Sequence, residues 1–247
     1  MKKSFGAPVR ALVFDLDDTL WPIAPVIRTA EQALHDWLTA HVPAVAEQWS
    51  IEQLRQRRMA MLQENPHYRI DLYALRHAGL VEAFAASGAD PVLVEDAMAL
   101  FSRMRNAVTP FEDVEPALAR MSQHWRLGSI SNGFADLQTI GLAKYFETSL
   151  AAHRFGKAKP DPAIFHAACE ALEVDPAQAV YVGDDGQLDV VGAQNAGLRA
   201  IWMNRFERCL PPSIHPDAVC TNLWEVHAWL EQLLSNRGGS VLHCLKQ

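Results

Sequence analysis

Two aspartates stand two residues apart at Asp15 and Asp17, in the run Asp15-Leu16-Asp17-Asp18-Thr19, directly behind the apolar stretch Ala11-Leu12-Val13-Phe14. On an extended chain, carboxylates at that spacing point to opposite faces, so they reach one site only if the chain turns after Asp15. Brought together, one carboxylate can attack phosphorus while the other moves protons. Their mutual repulsion calls for a cation, and a hard divalent ion with oxygen ligands is the expected one. Taken alone, the run also suits an acidic loop that caps a strand.

Three later segments change that balance. Ser131-Asn132-Gly133 offers a hydroxyl, an amide and a backbone N–H to a phosphoryl oxygen. Lys159-Pro160-Asp161-Pro162 sets an ammonium just ahead of a helix start, where it could neutralise both Asp15 and a transferred phosphoryl group. Gly183-Asp184-Asp185-Gly186-Gln187-Leu188-Asp189 adds carboxylates for a metal and glycines that let the backbone approach closely. Each segment alone is a turn or a helix start. Their order, and their positions at successive strand ends, are jointly specific.

The elements that must hold these residues can be read from periodicity. Residues 11–14 form an apolar run that ends abruptly in acid, as a buried parallel strand does at its carboxyl edge. From Pro25 to about Val108 the pattern is helical. Val26, Ala30, Ala33, Leu34, Trp37 and Leu38 recur at three- and four-residue steps, and Ile51, Leu54, Arg58, Met61 and Leu62 do so again. Asp90-Pro91 opens a further helix expected to reach about Arg105. After Thr109-Pro110, helix and strand alternate. Helices are expected over 114–121, 137–144, 161–172, 190–196 (stopped at Gly197) and 223–234, and strands over 126–131, within 146–152, and over 179–182, 198–203 and 218–221.

That alternation predicts an α/β fold, a parallel sheet with helices on both faces and its site at the carboxyl ends of the strands. Residues 1–22 and 109–235 are assigned to the core and 23–108 to an inserted helical cap, while 236–247 are expected to fray.

With these four segments in this order, the chain resembles the haloacid-dehalogenase-like superfamily over nearly its whole length. That family carries D-x-D-x-T, then Ser or Thr at a strand end, then Lys, then G-D-x-x-x-x-D. They are matched here by Asp15 with Asp17 and Thr19, by Ser131, by Lys159, and by Asp184 with Asp189. An all-helical insert between the first two motifs is the cap of the subfamily that includes phosphoglycolate-type phosphatases. The resemblance implies a Rossmann-like core and Mg2+-dependent hydrolysis of a small phosphorylated metabolite through a phospho-aspartate on Asp15. It implies Asp17 as acid and base. It also implies Mg2+ held by Asp15, the backbone carbonyl of Asp17, Asp184 and Asp189, and phosphoryl oxygens bound by Thr19, Ser131, Asn132 and Lys159. Asp185 stands where relatives often have Ser or Asn, which leaves open whether it or Asp189 joins the metal.

Asp17 weighs against dehalogenation, because a departing halide needs no proton and the related dehalogenases lack this second aspartate. A phosphomutase would share every catalytic residue. A non-enzymatic module that stores phosphate on an aspartate would need neither Asp17 nor a cap. The stretches 14–20 and 25–31 and the Gly183-Asp184-Asp185 box look most like the flavin mononucleotide and phosphoribitylaminouracil phosphatases of riboflavin metabolism, which implies a sugar-phosphate or nucleotide-like substrate. Trp21 either stacks on substrate or, as large aromatics more often do, packs beneath the cap. Arg55, Arg57, Arg58, Arg103 and Arg105 are expected mostly on solvated helix faces.

Composition bounds these readings. The 247 residues are 49% hydrophobic and 21% charged, suited to a folded domain with an insert. A net charge of -7 argues against nucleic acid as the main partner, while leaving room for a small anion bound by a few local cations. The four cysteines, Cys169, Cys209, Cys220 and Cys244, form no C-x-x-C pair and read as reduced thiols. No stretch is apolar for the roughly 18 to 20 residues of a membrane span, and the N-terminus lacks a signal-peptide core, so a cytoplasmic location is expected.

Overall fold

All four residues of β1 (Ala11–Phe14) are buried, which is why an unbroken apolar run suits them. The computed structural model describes residues 7–241, with side chains to residue 235. Five further strands run parallel to β1: β2 (Arg126–Ser131), β3 (Thr148–Ala151), β4 (Ala179–Gly183), β5 (Arg199–Met203) and β6 (Ala218–Cys220). They lie in the order β3-β2-β1-β4-β5-β6, so the chain steps to opposite sides of β1 and opens a crevice at its carboxyl end. Phe14 is level with Ser129 on β2 and with Val182 on β4. Asp15, Ser131 and Asp184 therefore emerge at one edge of the sheet.

Between β1 and β2 lie α1 (Ile23–His41), α2 (Pro43–Gln48), α3 (Ile51–Glu64), α4 (Leu72–Ala86), α5 (Leu93–Arg105) and α6 (Val114–Met121). The rest of the chain adds α7 (Leu137–Ile140), α8 (Ala152–Phe155), α9 (Pro162–Ala171), α10 (Gly192–Asn195) and α11 (Leu223–Val241). Alternate residues of each strand face opposite layers. Leu12 and Phe14 pack with Leu118 of α6 and Val226 of α11, while Val13 packs on the other face with Phe165 of α9 and Ala193 of α10. The cap has a core of its own, in which Leu34, Leu38, Phe84, Met98 and Phe101 meet. α1 leads out of the core and α5 leads back, so both crossings are helix ends close to the site.

Local signals place most boundaries. Ser50 and Gln53 form a reciprocal capping box at α3, and the Asp161 side chain accepts from Ala163 N at the start of α9. Four elements differ from the periodicity. α5 starts at Leu93, because Asp90 caps a turn through Val92 N before the helix itself begins. The helix expected over 137–144 stops at Ile140, where Gly141 takes φ 87° and ends it in the left-handed manner. The helix expected from residue 190 is entered earlier, through a π-helical segment over Gly186–Val191. α11 continues past residue 236, where fraying is expected, as far as Val241; residues 242–247 lie outside the described residues. Among the described residues no helix is long and apolar enough to cross a membrane.

Candidate active site

The chain turns as soon as it leaves β1. Leu20 N donates to Leu16 O at 2.8 Å and Asp18 N to Trp21 O at 2.7 Å, with Asp18 itself at φ 59°. A short polar side chain tolerates that left-handed conformation better than most. The turn is the one that the Asp15 and Asp17 spacing requires, and it sends the two carboxylates to different partners.

Asp15 faces Lys159. The lysine Nζ lies 2.5 Å from Asp15 Oδ1, 2.7 Å from Asp189 Oδ1 and 2.9 Å from the Tyr181 hydroxyl, all of them buried. The Tyr181 hydroxyl in turn donates a hydrogen bond to Ile130 O at 3.3 Å. Asp189 is fixed at its other oxygen by Asp185 N at 2.9 Å. A Cβ on Gly183 would collide with the Asp189 carboxylate, so the glycine of the fourth motif is what lets that side chain turn inward.

Ligand oxygens of Asp15, Asp184 and Asp189 all lie within 4.8 Å of one another. Burial, reinforced by the charges of Asp189 and Asp184, pushes the Asp15 carboxyl well above its ordinary value against the pull of Lys159. Burial and the charges of Asp189 and Asp18 push Asp184 up to about 7, with Arg208 opposing. Burial works against the Lys159 charge, but Asp15 and Asp189 overcome it and raise the ammonium well above its usual range. One lysine thus faces three clustered carboxylates. A hard divalent cation with oxygen ligands fits that donor set, and its charge would relieve the repulsion.

Asp17 faces the cap. Arg105, at the end of α5, donates from Nη2 to both Asp17 oxygens at 2.8 and 2.6 Å, and Trp21 Nε1 donates to Oδ1 at 2.9 Å. Trp21 is fully buried and packs in the core rather than standing free to stack. Gly133 closes the site opposite: a Cβ there would lie 2.9 Å from Asp17 Oδ2, 3.2 Å from Arg105 Nη2 and 3.3 Å from Ser131 Oγ. Asp17, Arg105 and Gly133 also line a cavity of about 240 Å3 that extends between core and cap.

Several expected contacts take another form. The carboxamide of Asn132 is occupied by the main chain of Lys159, accepting from Lys159 N at 2.8 Å and donating to its carbonyl at 3.0 Å, so it brackets the lysine instead of reaching for a phosphoryl oxygen. Gly133 N donates to Ser131 Oγ at 2.9 Å and is not free for phosphate. An ammonium has three donors, and Lys159 uses all three on protein atoms, so it acts on an incoming phosphoryl group through charge and through its hold on Asp15. Thr19 is fully buried and its hydroxyl has no hydrogen-bond partner among the described residues. Asp185 caps the following turn through Gln187 N and Leu188 N and stays out of the acidic cluster.

Other residues at the site were not legible. Arg105 is not on a solvated face; it is 2% exposed and bound to Asp17. Arg208 bridges Asp18 at 2.8 Å and Asp184 at 2.7 Å from a loop without regular structure. Tyr181 looked like one more strand residue, and a lone hydroxyl in the run Val180-Tyr181-Val182 was its single clue.

Comparison with known proteins points to one family. A 5-amino-6-(5-phospho-D-ribitylamino)uracil phosphatase, YigB of Escherichia coli strain K12, is 30% identical over 79% of this chain and 83% of its own length. A phosphoserine phosphatase of Thermus thermophilus is 30% identical over 88% of this chain and 98% of its own. Among solved structures, a 2-haloacid dehalogenase from Pseudomonas syringae superposes with a TM-score of 0.85 and 38% identity, covering 91% of this chain and 99% of the other. The pattern of the haloacid dehalogenase-like hydrolases matches residues 9–197, well over half the chain, and the protein belongs to that family.

Proposed function

We propose that this protein is a Mg2+-dependent phosphatase of small phosphorylated metabolites that works through a phospho-aspartate on Asp15. The observation that carries the reading is the meeting of Asp15, Lys159, Asp184 and Asp189, drawn from three separate segments, in one buried cluster at the sheet edge. Mg2+ would be held by Asp15, Asp184 and the backbone carbonyl of Asp17, with Asp189 beside them. When bound it would offset the charge of the phosphoryl oxygens.

Asp15, kept in place by Lys159, attacks phosphorus as the bond from phosphorus to the ester oxygen breaks. Asp17 gives its proton to the departing oxygen and then takes one from the water that attacks the phospho-aspartate, which frees phosphate and restores Asp15. Trp21 and Arg105 hold the Asp17 carboxylate at the cavity wall, and Ser131 Oγ lies beside Gly133 of the same wall. The relatives named for phosphoribitylaminouracil and phosphoserine support phosphate ester chemistry, with a riboflavin intermediate or flavin mononucleotide among the substrates to try.

The Pseudomonas structure favours a second reading, in which Asp15 displaces halide from a 2-haloacid. In that case Asp17, bound by Arg105 and Trp21, would have no proton to move. Phosphate and chloride release separate the two. The wild type should release phosphate from p-nitrophenyl phosphate, lose this in a chelator and regain it with Mg2+, and Asp15→Asn should abolish it in a folded protein. Chloride release from 2-chloropropionate without phosphate release from any ester would overturn the phosphatase.

A further inference from the structure

The cap wall of the cavity is built around an excess of positive charge that the chemistry at Asp15 does not use. Glu31 is 4% exposed and receives Arg55 at 2.5 Å, Arg58 at 2.5 Å and Arg76 at 3.4 Å. Arg55 lies outermost, half exposed, and is shared with Glu52 at 3.7 Å. Arg58 and Arg76 point inward and line the same cavity as Asp17 and Arg105. Three buried or nearly buried guanidiniums thus share the carboxylates of Glu31 and Asp17, which leaves one positive charge over. Arg76 Nη1 and Arg105 Nη1 are buried without a hydrogen-bond partner among the described residues.

Charged groups are rarely left so inside a protein, because an unpaired buried donor forfeits its hydration with no return. Burial, together with the neighbouring Arg58, lowers Arg76 to about 9, the response of a cation short of anions. Phe101 holds the Arg76 guanidinium in place, 3.6 Å from its ring centroid. The remaining wall, with Leu75 and Phe101, is apolar. Its volume of about 240 Å3 lies below the roughly 300–1,000 Å3 of pockets for larger ligands.

We infer that this cavity receives a second anionic group of the substrate, a carboxylate on the leaving alcohol, and that Arg76 with Arg58 selects small phosphorylated hydroxy or amino acids over neutral phosphate esters. The fork of a guanidinium matches a carboxylate in two parallel hydrogen bonds, and a short carbon frame suits the small volume of a cavity lined by both Asp17 and Arg76. A second phosphate would satisfy the charge but demands more room. The inference rests on the phosphatase reading for the fate of the ester, but the binding it asserts can be measured without turnover.

Three esters on one two-carbon frame make the test: phosphoglycolate, ethyl phosphate and ethylene glycol bisphosphate. Titration calorimetry on the Asp15→Asn protein with Mg2+ should show phosphoglycolate binding about ten- to a hundredfold tighter than ethyl phosphate, as a charge-assisted contact warrants. Adding Arg76→Gln should remove most of that difference, and Arg76→Lys should keep part of it. Arg58→Gln gives the same reading if Arg76→Gln does not fold. Equal affinity for phosphoglycolate and ethyl phosphate, or a preference that survives both Gln variants, overturns the assignment. Tighter binding of the bisphosphate overturns the choice of carboxylate. The phosphatase reading fails separately, if native enzyme leaves p-nitrophenyl phosphate intact.

Discussion

Two buried charge clusters, one in the core and one in the cap, invert each other. In the core, one ammonium, Lys159, faces the carboxylates of Asp15, Asp184 and Asp189. In the cap, one carboxylate, Glu31, faces the guanidiniums of Arg55, Arg58 and Arg76. Arg208 adds a second cation to the core through Asp184, and Glu52 a second anion to the cap through Arg55, yet each cluster still carries at least one charge in excess that a ligand of opposite sign would relieve. The core lacks a cation and the cap lacks an anion. The difference teaches where the two halves of a doubly charged substrate would go: phosphoryl group and metal against the sheet edge, second anion against the cap. Asp17 and Arg105 form the pair that joins the clusters, one residue from each side.

Removing Lys159, the buried cation of the core, is the harshest way to break this picture. Lys159→Met keeps the volume but leaves Asp15 and Asp189 buried with no positive partner. A buried pair broken in this way costs about 3–5 kcal/mol, so the urea midpoint should drop sharply. Mg2+ at a hundred times its dissociation constant should return up to about 2.7 kcal/mol, because the ion supplies the missing charge and binds only the folded state. Phosphate release should fall by about a hundred- to a thousandfold or more. A variant as stable as wild type, in the presence of chelator, would mean that the carboxylates around Lys159 do not depend on it.

Asp17→Asn acts on the junction and leaves both clusters intact. Turnover should fall by about 10²–10⁴, with KM changed by only a few fold, since proton transfer is lost and binding is not. The loss should be larger for ethyl phosphate than for p-nitrophenyl phosphate, whose leaving group needs less help from an acid. Equal losses on the two esters would assign Asp17 to positioning and not to proton transfer.

How far these clusters were legible in the sequence differs between them for a physical reason. The core cluster is read from motifs because Asp15 and Asp184 stand at strand ends, where an apolar run followed by acid fixes the position in space, and Lys159 stands just ahead of a helix start. Ser131 and Asp189 belong to the same ordered segments, whose roles the family resemblance supplies, and the parallel sheet with an inserted helical cap follows from the alternation of strand and helix. The cap cluster is built from helix residues 31, 55, 58 and 76, which come from three different helices. A helical period says which face is apolar, but not which two faces will meet. Arg58 fell on an apolar stripe and Arg105 near a helix end, yet neither position announces a buried carboxylate partner. The same limit hid Arg208, whose loop has no period at all. Contacts within the core also rearranged what was named: Asn132 could be seen as an amide near phosphate, but its use as a bracket for Lys159 depends on where the segment after β3 returns.

The gentlest test compares the clusters directly. Glu31→Gln keeps the shape of the cap's buried anion and removes its charge, the mirror of Lys159→Met. Arg55 is 42% exposed at its side chain and can turn to water, whereas Arg58 and Arg76, at 13% and 10%, cannot. Two trapped cations should therefore cost about 2–3 kcal/mol, at or below the lower end of the range for a buried pair, since the outermost partner escapes. Phosphoglycolate should then stabilise Glu31→Gln more than it stabilises wild type in thermal unfolding, because the excess charge facing the cavity has grown by one. A Glu31→Gln protein that loses as much as Lys159→Met would show the cap to be as closed to water as the core, and one that gains nothing from an anion would detach Arg58 and Arg76 from the cavity they line.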